Sequence, residues 1–165
     1  MARTASLRIG RTIGVVFDHG EDFFPTLDEV CRTEGIRYGY IPMFLAGFRE
    51  VDVVGTCERL ENPDAPVWSK VQLTNVEAMG CGTLAYQPDE DRILPHIHVS
   101  VGLKEHSATA HTSHLLAAKV QFLTEMLLVE VLDPPITRPR NPDLYDVPLL
   151  TFASPTLSAD DSHGS

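Results

Sequence analysis

The run LLAAKVQFLTEMLLVEVL, residues 115–132, decides what kind of fold this chain makes. Its Leu, Ala, Lys, Gln, Glu and Met residues favour a helix when summed over such a window. Val120, Phe122, Val129 and Val131 favour a strand. The apolar positions keep neither the helical nor the two-residue period throughout. Local pattern alone leaves the two readings near even, so the flanking sequence has to be read first.

Immediately upstream, five of the seven histidines fall between residues 96 and 114. Pro95-His96-Ile97-His98-Val99-Ser100-Val101 alternates and is β-branched, which reads as a strand. Side chains two apart on a strand share a face, so His96 and His98 approach one point from adjacent positions. If residues 104–110 turn the chain with an apex near 106, residue 114 comes to lie opposite residue 98 on that same face. His111 then points to the other face and His106 sits at the loop tip. A single shifted bulge would exchange His106 or His111 for His114. Three imidazoles with an open fourth position form the ligand set of catalytic rather than structural zinc. Iron, manganese and nickel also accept imidazole. The bland alternative is a group of solvated or packing histidines on a hairpin.

Earlier in the chain, residues 7–17 read as a strand and Gly20-Glu21-Asp22 as a turn. Phe23, Phe24, Leu27, Val30 and Cys31 recur at helical spacing and Gly35 suits a C-cap, which predicts a helix over about residues 22–34. Residues 36–57 carry strand chemistry interrupted by Gly39, Pro42 and Gly47, so bulges or a bend are expected. Residues 67–76 and 77–86 read as two further strands, with Gly80 and Gly82 permitting close backbone approach. Residues 133–148 hold five prolines and read as an extended strap, over the surface or onto a neighbouring subunit. Leu149 to Phe152 suits a short closing strand. The organisation expected is a loose start at 1–6, one domain over 7–153 and a disordered tail at 154–165.

Composition excludes several classes. The chain has 165 residues, enough for one core, and 43% of them are hydrophobic. Its net charge of −10 disfavours a phosphate backbone as partner. No basic-then-apolar leader and no apolar run of bilayer length is present, so a cytoplasmic location is the expectation. Cys31, Cys57 and Cys81 form no C-x-x-C pair and read as buried, reduced thiols rather than a zinc or redox site.

Among charged residues, Glu125 interrupts an apolar run. It is either an exposed edge residue or a carboxylate serving the metal site, as acceptor for a ligand N–H or as general base. Glu77 raises the same question more weakly. Arg138-Pro139-Arg140 reads as a solvated loop pair, with a clamp for a substrate carboxylate as the alternative.

From about Arg11 to Leu132 the chain resembles the PPC domain (plants and prokaryotes conserved). The matching pieces are Gly20-Glu21-Asp22, the strand from Glu77 to Thr83, His96-Ile97-His98, Ser113-His114-Leu115 and Thr124-Glu125-Met126-Leu127. Prokaryotic members usually read Gly-Gly-His-Leu at the return, where this chain has Thr112-Ser113-His114-Leu115. The resemblance implies an α+β fold, a mostly antiparallel sheet with one packed helix, assembled as a homotrimer. It implies strand for residues 115–132 and a metal site at His96, His98 and His114. The fold is also similar to that of acetolactate decarboxylase, a zinc lyase. These features together suggest a zinc-dependent, lyase-type enzyme acting on a small carbonyl or carboxylate compound, with Glu125 moving a proton. The alternatives are a DNA-associated regulator, against which the charge and the absence of an Arg-Gly-Arg core weigh, and a trimeric ligand-binding module with structural zinc.

Overall fold

The computed structural model describes residues 2–56, 68–103 and 109–153. Strand β1 (Arg8–Asp18) leads through the Gly20 turn into helix α1 (Phe23–Glu34). Then follow β2 (Gly39–Thr56), β3 (Trp68–Gln87), β4 (Arg92–Leu103) and β5 (Ala110–Asp133). The run 115–132 therefore lies wholly within a strand, as the family resemblance implies and against its helix propensity. The five strands form one antiparallel sheet in the order β1-β5-β2-β3-β4, and β4 returns to pair with β5. β5 is long enough to serve two partners along one edge, β4 at residues 110–114 and β1 at 123–133, while β2 runs along the other. Strands β2 to β5 thus close on themselves.

Burial along β5 explains why its period is hard to read. Leu115 is buried, then Ala118, Val120, Thr124, Met126 and Leu128, then Val131. The inward set changes parity twice, from odd to even after Leu115 and back to odd before Val131. The ladder shifts register at both places, opposite Asp52/Val53 in β2 and Ile9/Thr12 in β1. Each added residue moves the side chains that follow to the other face.

Helix α1 fills the inner face. Its buried stripe is Phe23, Leu27 and Cys31. Phe23 sits 5.2 Å from Phe17, 5.3 Å from Phe44 and 5.8 Å from Phe48, ring centre to ring centre. Gly35 ends the helix with φ 69°, and its N–H bonds Arg32 O.

Two expectations are corrected. Residues 68–87 form one strand rather than two, because Asn75 takes a left-handed φ of 52° and lets the strand kink without leaving the β2 ladder. Cys81 is exposed, since it lies on the outer face opposite His98, whereas Cys31 is buried. Cys57, the turn at 61–66, His106 and the tail 154–165 lie outside the described residues.

The proline-rich segment is more structured than a simple strap. β6 (Ile136–Thr137) pairs with β9 (Thr151–Phe152), and β7 (Arg140–Asn141) pairs with β8 (Val147–Pro148). Ile136 is fully buried in a second small core with Ala85 and Val131, against which Tyr40 and Phe152 pack. This core fastens the segment to the outer surface of the sheet next to β3. No helix among the described residues is long and apolar enough to cross a membrane.

Candidate metal centre

Three histidines converge on the outer face where β3, β4 and β5 meet. In the ladder His98 is opposite His114 on one side and Cys81 on the other, and His96 is opposite Thr83. Alternation along β4 buries Ile97 and Val99 and sends His96 and His98 outward. Gly80 and Gly82 set the β3–β4 spacing. A Cβ on Gly82 would meet His96 O at 2.7 Å, and one on Gly80 would meet the Phe44 ring at 2.4 Å.

The imidazole Nε2 atoms of His96 and His98 are 3.1 Å apart. Ring centres are separated by 5.0 Å for His96–His98, 5.0 Å for His96–His114 and 5.6 Å for His98–His114. One ligating atom from each of the three lies within 4.8 Å of the others. Tetrahedral zinc at about 2.0–2.1 Å from each nitrogen sets nitrogens about 3.4 Å apart, so the donor set fits one ion after small closure. Cys81, although opposite His98, is not one of this group, and neither is His111, which pairs with Val101.

The electrostatics favour neutral, ligand-ready rings. His96 is held down to about 4, first by partial desolvation and then by Arg138, His114 and His98. His114 is lowered first by desolvation and then by the nearby His98 and Arg138. Beside them, Ser100 accepts a hydrogen bond from Thr112 Oγ1 at 3.0 Å.

Arg138 is the residue that sequence reading undervalued. It is half-buried rather than a solvated loop residue, with Nη1 3.5 Å from His96 Nδ1 and Nη2 donating to Thr83 Oγ1. Its Nε is buried without a partner. Arg140, two residues on, is exposed and donates to Asp146 O. A signal existed in the apolar Ile136 between Pro135 and Arg138, which anchors the segment two residues before the guanidinium.

The carboxylates stand elsewhere. Glu125 is exposed on the outer face, in a cross-strand row that runs Val16, Glu125, Leu45, Met79, Ser100. Three ladder steps separate it from Ser100, and it is not one of the groups whose ligating atoms gather within 4.8 Å at the histidine cluster. Glu77 lines a separate cavity of about 640 Å³ with Gly47, Asn75, Gly102, Gln121 and Phe122, toward the far end of β4.

A curled antiparallel sheet wrapped on one helix, with three imidazoles gathered on its outer face, defines a class of small β-rich domain with a potential metal centre. The chain belongs to the Plants and Prokaryotes Conserved (PCC) domain family, whose profile matches residues 4–132. Its fold is similar to that of a metal-containing protein from Archaeoglobus fulgidus, at 17% identity and a TM-score of 0.75 over 91% of this chain and 99% of that one. It is equally similar to a plant- and prokaryote-conserved (PPC) protein from Pyrococcus horikoshii, at 21% identity and a TM-score of 0.75 over 93% of this chain and 99% of that one. A more distant likeness is to α-acetolactate decarboxylase from Bacillus subtilis, at 13% identity and a TM-score of 0.53, over 82% of this chain and 58% of the enzyme. No curated protein matches in sequence. Arg138 and its anchoring segment lie beyond the matched residues.

Proposed function

We propose that this protein is a trimeric, zinc-dependent, lyase-type enzyme acting on a small carbonyl or carboxylate compound. The observation that carries the proposal is the convergence of His96, His98 and His114 on one ion-sized point at an accessible surface. Bound there, a divalent metal supplies Lewis acidity toward a substrate oxygen. The likeness in fold to a metal-containing archaeal protein supports the presence of a metal, and the distant likeness to a decarboxylase raises the prior for lyase chemistry.

The chain's own groups divide the remaining work. His96, His98 and His114 hold the ion, and their depressed basicity keeps protons from competing with it. Arg138 sets a fixed positive charge at the rim. Glu125, three ladder steps from the histidine strand and outside the histidine cluster within one chain, moves a proton across a subunit boundary. An apolar outer face, with Val16, Leu45 and Met79 exposed around Glu125, supports such an assembly.

The test is metal content and its dependence on one ligand. Protein purified without added metal should carry about one zinc per chain by mass spectrometry of the elements, with His98→Ala losing affinity by about 100-fold or more. Wild-type protein without stoichiometric metal, or a His98→Ala variant that binds as tightly, rejects the metal reading. Metal-dependent cleavage in a screen of small oxo and hydroxy acids tests the lyase part, and a loaded protein inactive on all of them favours the structural-zinc module.

A further inference from the structure

The guanidinium of Arg138 lacks what it needs most, an acceptor. Among the described residues no carboxylate pairs with it, and its Nε is buried without a partner. Burying a cation without a counter-charge is costly. Thr83 Oγ1 serves Nη2, His96 Nδ1 stands at hydrogen-bond limit from Nη1, and Nε has nothing.

Ligation removes one of these partners. His96 and His98 turn their Nε2 atoms toward each other, so those are the atoms that face an ion. A neutral imidazole that ligates through Nε2 carries its proton on Nδ1. His96 Nδ1–H then confronts Arg138 Nη1–H, donor against donor. The guanidinium would be left with the Thr83 hydroxyl, and an ion held by the three rings would add positive charge beside it. Among the described residues no carboxylate belongs to the histidine cluster, so a guanidinium and a metal ion on either side of His96 would call for an anion from outside the chain.

From these contacts we infer that Arg138 recognises the carboxylate of a small anionic ligand bound at the three-histidine site, and so selects carboxylates over neutral carbonyl compounds. The inference rests on the metal reading proposed above and names the substrate class for it. A guanidinium suits the task because its planar fork matches a carboxylate with two donors. Its position is set by the segment that follows β5: Ile136 is buried in the second core, β6 is tied to β9, and Arg138 emerges beside Thr83 on β3. The residue lies beyond residues 4–132, which the family profile matches, whereas the three histidines lie on β4 and β5.

Cobalt-loaded protein provides a readout that does not depend on turnover. Its visible absorption is followed during titration with pyruvate and with pyruvamide, which keeps the carbonyl and loses the charge. Pyruvate should perturb the spectrum and pyruvamide should bind about 30-fold more weakly. Arg138→Gln should weaken pyruvate by a similar factor and leave pyruvamide and cobalt affinity within about threefold, with Arg138→Lys intermediate. Loss of cobalt binding in wild type overturns the metal reading and this inference together. Normal cobalt loading with equal pyruvate binding in wild type and Arg138→Gln, or with no response to pyruvate, overturns the inference alone.

Discussion

His96 and His114 are placed so that protonation opposes the folded state. Both titrate below the ordinary imidazole range, His96 at about 4. A group whose pKa falls on folding binds fewer protons in the folded chain than in the unfolded one, so stability rises with pH across the interval. The contribution is complete above the unfolded value of 6.5 and is lost as pH falls from there through about 4. Chelator-treated protein should therefore melt at progressively lower temperature between about pH 7 and pH 4.5. His96→Gln should flatten that dependence, and an unchanged slope in the variant would remove His96 as its source. At this scale the sequence was informative about which histidines share a face, because alternation and hairpin parity need only local geometry. Arg138 was not legible, because its partners Thr83 and His96 lie 55 and 42 residues away and meet it only once Ile136 is packed.

Among the elements, β3 and β4 act as a spacer that sets the metal site. A Cβ on Gly82 would meet the His96 carbonyl oxygen and the Ile97 side chain, each at 2.7 Å, so the path of the ligand strand depends on the missing side chain there. Gly82→Ala should displace the ligand strand, costing about 1–3 kcal/mol of stability by overpacking. Metal affinity should fall with it by about tenfold or more, the scale at which misoriented ligands are felt. Gly14 in β1 is the control, since a Cβ there meets nothing within 4 Å. Denaturant melts and zinc titrations of the two variants decide the matter, and Gly82→Ala binding zinc like Gly14→Ala would refute the spacer role. The helix was plain in the sequence because one uninterrupted stripe and a glycine cap describe it completely. β5 was not, because its two changes of parity are imposed by bulges against partner strands far away in the chain, and a periodic reading averages over them.

For the whole molecule, the outer face of the sheet poses a problem of coverage. An antiparallel sheet packed on one side against a helix usually turns polar residues to water on the other. Here Val16 is 66% exposed and Met79 61%, with Leu45 between them in register. Exposed apolar residues flanking Glu125 in one cross-strand row are what a surface covered by a partner would present. The occupant we expect is two further copies of the chain, the assembly that the family resemblance implies. Glu125 belongs to the same row, so such an association would carry a carboxylate to a neighbour's surface, and Met79 lies opposite Ser100, two residues from His98. Light scattering on the eluting protein should give three times the chain mass at micromolar concentration. Leu45→Asp should reduce this to one chain, because it replaces an apolar side chain with a second carboxylate beside Glu125, and burying the two together is costly. The monomeric variant should still bind one metal per chain, since all three histidines come from one chain, but should lose turnover together with Glu125→Gln. Wild-type protein eluting at the mass of one chain would refute the assembly, and a monomeric Leu45→Asp variant with full activity would remove Glu125 from the chemistry.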